Sequence, residues 1–249
     1  PGIHVTYAIG AAIFGSTELG ITLLGITLSA ITALIIWQLG ALLYPTMLLP
    51  RAVATLCYSL IQGDLFIEAI QPNTEAGINL FVALSFYSLL RLKAAPHSTM
   101  VVLLLAISTL AASSFKHVAV IPIFAATIGI LPKQLWFRCL GAMGLSLALG
   151  WGIILGQIPG AFDALIGFNR HYSGSLIENL HHGLDLSTLL HRSIVLFFPL
   201  LALALPAIWR TKWLLFTLVG CWLAVSLPGR FYIHYFQLYI PVLCIAAGV

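Results

Sequence analysis

Residues 98–131 read STMVVLLLAISTLAASSFKHVAVIPIFAATIGIL, and Lys116 is the only charged residue in this stretch. The stretch is too long for one membrane-spanning helix, which needs about 20 apolar residues, and barely long enough for two. A lysine in the middle of a membrane costs roughly 3 kcal/mol on the insertion scale. We therefore predict two spanning helices that meet at a tight turn over residues 113–117, with Lys116 at the membrane surface.

The rest of the chain has the same apolar character. Hydrophobic residues make up 61% of the 249 residues, charged residues only 7%, and the mean hydropathy is +1.06, whereas soluble domains carry about 25% charged residues. This composition predicts an all-α polytopic transmembrane helical bundle that forms one domain over residues 1–249, and it argues against a nucleic-acid partner. About nine spans are predicted, after a shorter helix near 3–15, at 19–39, 46–62, 75–90, 99–115, 118–131, 139–155, 190–208, 213–227 and 232–249. The four cysteines stand far apart in or beside apolar runs, which is typical of packing residues rather than of a redox or metal site.

The charges divide between two alternating sets of loops. One set contains Arg91, Lys93, Lys133, Arg138, Arg210 and Lys212, and the other contains Lys116, Arg170, Arg192 and Arg230. Since cytoplasmic loops are enriched in lysine and arginine, the first set is predicted to be cytoplasmic. All seven acids and seven of the eight histidines fall on the opposite, external side, together with the largest loop, 157–189. Two readings stay open there: a face that carries chemistry, or long loops that need polar residues for solvation.

Glu75 follows an external loop at the start of a predicted span. Asn73 or Thr74 can cap this helix, and an acid in the first turn favours its positive end. Alternatively, Glu75 orients a polar substrate or a basic partner, and pairing with Lys116 is one such arrangement. Lys116 and His117 lie at the predicted external turn, where the ammonium group could bind a lipid-linked phosphate or simply reach out to the interface.

Two other external segments combine cations with aromatic or imidazole side chains. The loop containing Asn169, Arg170 and His171 offers an arginine for bidentate phosphate binding, or is merely solvated. Near the end of the chain, Arg230 and His234 are four residues apart, so they approach one face of a helix if that helix begins early enough. Aromatic belts at the interface explain the neighbouring tyrosines but not this pair.

Four short segments follow one another along the chain: PGIHVTY through FG in residues 1–15, PNTE in 72–75 followed by an apolar span and Arg91, SFKH in 114–117, and GRFYIHYFQLYIP in 229–241. Their order resembles that of the membrane-embedded GT-C glycosyltransferases, specifically the bacterial relatives of dolichyl-phosphate-mannose protein mannosyltransferases and of the aminoarabinose transferase. The first segment resembles the family's P-P-x-x-Y helix that ends in F-G, and the second its N/D-T-E segment. The third resembles its short Thr-Lys turn, and the fourth its R-x-x-x-H-Y-x-x-x-x-x-P ending.

The resemblance implies an enzyme that crosses a bacterial inner (plasma) membrane several times. Such an enzyme takes a sugar from a polyprenyl-phosphate donor at the external (periplasmic) face and passes it to a hydroxyl of a lipid, glycan or protein acceptor. This chemistry needs a carboxylate to deprotonate the acceptor and cations to hold the departing phosphate. In the family, the principal acid lies in the first external loop, which would precede Pro1. The chain is therefore expected to be a fragment without its first span and catalytic loop, and none of its acids is predicted to be the catalytic base.

The site residues that the resemblance implies lie in or beside these segments and in the 157–189 loop. The predicted phosphate contacts are Lys116, Arg170 and Arg230, and the supporting donors are His171, His234 and Tyr235. Glu75 is a candidate orienting acid. The remaining predicted substrate-binding residues are His4, Tyr7, His117 and Asn169. No cofactor is assigned, and a divalent metal stays possible. His181, His182 and His191 match no standard zinc spacing, so they are interpreted as loop histidines.

Two other classes of function stay open: a transporter or flippase for an anionic or lipid-linked substrate, and a noncatalytic membrane scaffold. A transporter predicts ionisable residues or broken helices at mid-membrane. Most charges here lie at the predicted ends of spans, which favours the transferase. Arg51 is the exception, and a side chain that reaches back to the cytoplasmic edge accounts for it.

Overall fold

The computed structural model describes residues 2–63, 74–163, 167, 173–185 and 192–249. Within these ranges the chain forms helices and no strand, as the apolar periodicity predicted. The α-helices are α1 (Gly2–Phe14), α2 (Glu18–Leu43), α3 (Leu48–Ile61), α4 (Thr74–Ala94), α5 (Thr99–Phe115), α6 (Val120–Ile130), α7 (Lys133–Gln157), α8 (Leu176–His182), α9 (Arg192–Arg210), α10 (Lys212–Ser226) and α11 (Ile240–Ala247). Two 3-10 segments, His117–Ala119 and Ile233–Tyr239, precede α6 and α11.

Three of the described helices are long and apolar enough to cross a membrane: α2 with 26 residues, α4 with 21 and α7 with 25. The other predicted spans are helical too, but they are shorter. For example, α6 has 11 residues, which extend about 17 Å against a hydrocarbon core of about 30 Å. The length and composition of these three helices therefore indicate a membrane protein.

The predicted break inside residues 98–131 is confirmed. Ser98 accepts a hydrogen bond from the amide of Val101 and so caps the start of α5. The helix ends at Phe115, because Lys116 adopts an extended backbone with φ −146° and ψ 125°. The 3-10 segment and α6 then carry the chain back into the bundle, so that Lys116 lies at the turn rather than within a helix.

The outer surface of α7 is apolar. Leu145, Leu149 and Ile153 are each about 60% exposed or more, and their four-residue spacing places them on one face of the helix. Inside the bundle, several hydroxyls donate to the carbonyl four residues earlier, as Ser85 does to Phe81 at 2.8 Å. An apolar exterior is what a lipid environment requires.

Helix α4 is the central helix, and most of its residues are buried. It packs against α2, α5, α6 and the 3-10 segment before α11. Beside it, α6 and α10 cross closely. A Cβ on Gly129 would lie 2.7 Å from the Trp213 Cα, and a Cβ on Gly220 would lie 2.8 Å from the Pro122 Cα. Small residues at such crossings let two backbones approach.

The ends of α5 separate two groups of polar contacts. At its start, Arg138 donates to the carbonyls of Pro96 at 2.9 Å and of His97 at 3.3 Å. Lys116 lies at the other end, about 17 residues away along the chain, or roughly 25 Å of helix. The sequence analysis assigned Arg138 and Lys116 to loops on opposite sides, and this separation agrees with that assignment.

Arg51 is not an unpartnered cation within a helix. Its guanidinium donates to the Tyr44 carbonyl at 3.0 and 3.2 Å and also bonds to the Pro45 carbonyl. These carbonyls belong to the turn between α2 and α3. Arg51 therefore reaches to the end of the bundle, as the sequence analysis expected.

Candidate functional site

The side chains of Glu75, Lys116 and Tyr235 meet at one end of α4, and we call them the Lys116 cluster. The Lys116 Nζ forms an ion pair with the Glu75 Oε1 and lies 3.3 Å from the centre of the Tyr235 ring. Thr74 donates its hydroxyl proton to the other Glu75 oxygen, Oε2, at 2.7 Å. The pairing of Glu75 with Lys116, one of the alternatives that the sequence left open, is thus confirmed.

Local backbone structure explains how the three groups come together. Glu75 lies in the first turn of α4, where the helix dipole favours an acid. Lys116 lies at the chain reversal after α5, and Tyr235 lies in the 3-10 segment before α11. The cluster therefore ties the start of one helix to the end of a second and to the entry of the last.

The ion pair is largely removed from water. Only 3% of the Glu75 side chain and 25% of the Lys116 side chain are exposed. Burial lowers the pKa of Lys116, while the neighbouring Glu75 carboxylate acts in the opposite direction. A buried ammonium with an acid on one side and a ring face on another is strongly held, because an unpaired charge there is costly.

Little empty space remains beside the cluster. The adjoining cavity has a volume of about 20 Å³ and is also lined by Ile78, Ala224 and Leu238. That volume is enough for one water molecule. Among the described residues, the cavity beside the Lys116 ammonium therefore has room for a water molecule.

Arg230 and His234 do not share a helix face, because the helix does not begin early enough to include Arg230. The backbone has positive φ at Gly229, 66°, and at Phe231, 44°, and the 3-10 segment begins only at Ile233. Arg230 lies between these two positions and is exposed. The turn therefore separates Arg230 from the helical residues that follow it.

His234 instead belongs to an aromatic group next to the Lys116 cluster. Its ring stacks on Tyr232, with centroids 5.6 Å apart, and meets Tyr235 edge-on at 4.9 Å. Tyr235 therefore contacts Lys116 on one side and His234 on another. Three of the predicted substrate-binding residues lie together here.

Asn179 was missed by the sequence analysis although it holds the loop that carries Arg230. It is 8% exposed, and its side-chain amide donates to the Leu227 carbonyl at 3.0 Å. A Cβ on Gly229 would lie 2.1 Å from the Asn179 Oδ1, so only glycine fits against it. No pattern in the sequence pointed to this contact, because an asparagine in a long loop bonds carbonyls in many turns.

A second contact fastens α8 to the same end of α10. The Trp222 indole donates to the Gly183 carbonyl at 2.9 Å. Together with Asn179, it places the described part of the 157–189 loop across the end of the bundle. The sequence predicts this loop as the largest, and its residues 173–185 lie beside the end of α10 that adjoins the cluster.

Two larger cavities adjoin this region. One, of about 230 Å³, is almost entirely apolar and lies between α9, α10 and the last segment, with Phe197, Trp222 and Phe236 in its walls. The other, of about 470 Å³, is lined by His117, Asn179 and mainly apolar neighbours. His117 lines it with an exposed side chain, and partial removal of the imidazole from water together with the Lys116 charge lowers the pKa of His117.

Two of the remaining predicted residues, His4 and Tyr7, lie on α1. His4 is exposed and Tyr7 partly exposed on α1, although that helix begins beside the cluster's turn, since a Cβ on Gly2 would lie 2.4 Å from the Ser114 Oγ. Asn169, Arg170 and His171 lie outside the described residues, as do Asn73 and His191. His181 and His182 are exposed and face Asp185 at 3.6 and 2.9 Å.

The cysteines behave as packing residues. Cys139, Cys221 and Cys244 are buried thiols, and Cys57 is half-buried. All four are free, in agreement with the prediction from their spacing.

No protein-family model matches the chain, and neither a curated protein nor a solved structure matches it.

Proposed function

We propose that the protein is an integral membrane glycosyltransferase that moves a sugar from a polyprenyl-phosphate donor to an acceptor hydroxyl. In this proposal the helices cross a bacterial inner membrane about nine times in a GT-C-like arrangement. The Lys116 cluster lies at the periplasmic side. The acceptor is a lipid, a glycan or a protein.

The convergence of separate sequence segments is the observation that carries the proposal. Three of the four segments that resemble the family meet in one place, because they supply Glu75, Lys116 and Tyr235 respectively. The remaining segment, residues 1–15, begins beside them through Gly2 and Ser114. Segments about 40 and 120 residues apart have no structural need to place an acid, a cation and aromatic groups together.

The surroundings of the cluster suit a lipid-linked phosphate. The apolar cavity of about 230 Å³ shares Val225 with the small cavity beside Lys116. A hydrocarbon chain in the first would place its phosphate near the second. Arg230, on the exposed turn held by Asn179, supplies a further cation that can bind phosphate oxygens bidentately.

The chain's own groups then have distinct tasks. Lys116 and Arg230 hold the phosphate as it departs from the sugar and gains charge, which is where cations accelerate such reactions most. His234 and Tyr235 line the approach to Lys116 and can donate hydrogen bonds. The catalytic base is not assigned to any residue of this chain.

The transfer reaction can be tested directly with the purified full-length protein in detergent micelles. The assay supplies a polyprenyl-phosphate-linked radiolabelled sugar and measures label that leaves the donor. We expect Arg230→Ala to lower the rate by about 100-fold, in the range reported for removing one group that stabilises developing charge. Arg210→Ala, an exposed arginine at the end of α9, is the matched control and should leave the rate unchanged.

A transporter gives a different result in the same system. In proteoliposomes it would move the intact donor or an anionic substrate across the bilayer without cleaving the sugar from phosphate. Translocation without sugar release by the wild-type protein would overturn the transferase proposal. Equal rates for Arg230→Ala and Arg210→Ala would remove Arg230 from the site.

A further inference from the structure

The Lys116 ammonium already has two partners among the described residues. Glu75 occupies one side of the Nζ and the Tyr235 ring another. The adjoining cavity of about 20 Å³ accommodates one water molecule. A phosphate group, with four oxygens around phosphorus, is much larger than water. A phosphate that binds Lys116 therefore competes with Glu75 for the ammonium.

Glu75 is placed so that it can give up Lys116 without being left alone. Its second carboxylate oxygen already accepts the Thr74 hydroxyl at 2.7 Å. It also lies in the first turn of α4, where the helix dipole stabilises a negative charge. The carboxylate thus keeps two sources of stabilisation when the ammonium turns to another anion.

We infer that Glu75 is a built-in competitor for the Lys116 anion site and that it makes the site selective for dianionic phosphate monoesters over monoanionic diesters. This inference rests on the proposed function, because it assumes that Lys116 binds the phosphate of a lipid-linked substrate. A diester, such as a sugar linked through phosphate to a polyprenol, carries one negative charge. It competes with a carboxylate of equal charge. A monoester carries nearly two charges near neutral pH and competes better.

The competition has a consequence for the proposed reaction. When the bond between the sugar carbon and the phosphate oxygen breaks, the electron pair stays on that oxygen and the phosphate changes from diester to monoester. The Lys116 ammonium then gains more from the phosphate than from Glu75. The ammonium thus changes its ion-pair partner from Glu75 to the phosphate as negative charge develops there, so that phosphate binding is stronger in the transition state than in the ground state. Glu75 in this role determines specificity and does not exchange protons.

Binding measurements with two probes test the inference. The probes are farnesyl phosphate, a monoester, and farnesyl methyl phosphate, a diester, titrated into the protein in detergent micelles, with inorganic phosphate as a third arm. The wild-type protein should prefer the monoester by at least about tenfold, since close charge pairs contribute at least the 1.4 kcal/mol that tenfold represents. Binding of inorganic phosphate with the same preference pattern among variants would mean that the site recognises phosphate without the lipid chain.

Glu75→Gln keeps the size of the side chain and removes its charge. It should bind the diester about tenfold more tightly than the wild type and reduce the preference for the monoester to about two- to threefold. Glu178→Gln removes an equally charged but exposed acid on α8 and is the control for net charge. It should leave both affinities unchanged. Lys116→Met should weaken both probes.

The outcomes separate the inference from the function on which it rests. If Lys116→Met weakens both probes and Glu75→Gln changes neither, Lys116 binds phosphate as proposed but Glu75 does not compete, and the inference is wrong. If the wild-type protein binds neither probe, the proposed function fails and the inference fails with it. Should Glu75→Gln not fold, Glu75→Asp withdraws the carboxylate by one carbon. It must then show tighter diester binding than the wild type, and unchanged binding overturns the inference.

Discussion

Replacing Lys116 by methionine removes the partner of a carboxylate that is only 3% exposed. Methionine is similar in length to the lysine stem, so the apolar contacts along the side chain are largely kept. The variant therefore measures the loss of charge rather than the loss of packing. It also removes the ammonium from the Tyr235 ring, whose centre lies 3.3 Å away.

The expected cost follows from the burial of the two partners. Breaking a buried ion pair by removing one partner costs about 3–5 kcal/mol, because the other charge is left without compensation. Lys116 is one quarter exposed, so water still reaches its position and the lower end of that range applies. The contact with the Tyr235 ring adds about 0.5–2 kcal/mol. We expect Lys116→Met to lower the free energy of unfolding by about 3.5–5 kcal/mol in total.

Chemical unfolding in detergent micelles, followed by tryptophan fluorescence, provides the measurement. Lys212→Met, at an exposed lysine at the start of α10, is the control and should change stability by less than about 0.5 kcal/mol. The double variant Glu75→Gln with Lys116→Met removes both charges and should recover most of the loss. The reasoning is refuted if Lys116→Met is as stable as its control, or if the double variant is as unstable as the sum of its single variants.

Two other properties can be measured on the same preparations. Alanine at Gly129 or Gly220 should lower the free energy of unfolding by about 1–3 kcal/mol, because its Cβ would press on the backbone of the facing helix. Gly144→Ala on α7, where nothing lies within 4 Å, should be neutral or slightly stabilising. Equal effects at all three positions would contradict the close crossing of α6 and α10. For pH dependence, farnesyl phosphate binding should be lost as pH rises through the pKa of Lys116, which burial places below the usual 10.5. Since Glu75 raises that pKa, Glu75→Gln should lose binding at a lower pH than the wild type, and a move to higher pH would show that the titrating group is not Lys116.

Arg230 and His234 show where a helical-spacing argument does not apply. Four residues apart is the spacing of one helix face, but it applies only if the intervening backbone is helical. Gly229 in the sequence signals a turn, because glycine adopts positive φ readily. Phe231 gives no such signal, and its positive φ of 44° depends on the packing around it. The sequence therefore indicated that a turn was near but not that it continued past Arg230.

The sequence by itself determined the helical, apolar character of the chain, the break at Lys116 and the packing role of the cysteines. These follow from costs that each residue carries wherever it lies, such as the penalty for a lysine inside a membrane. Tertiary structure alone decided that Lys116 contacts Glu75 and Tyr235 and that Asn179 bonds to Leu227. The hydrogen bond from Lys116 to Glu75 joins residues 41 apart in the chain, and the one from Asn179 to Leu227 joins residues 48 apart. Such contacts depend on how each helix is rotated and on the angle at which it crosses its neighbours, and those quantities arise only when all the helices pack together.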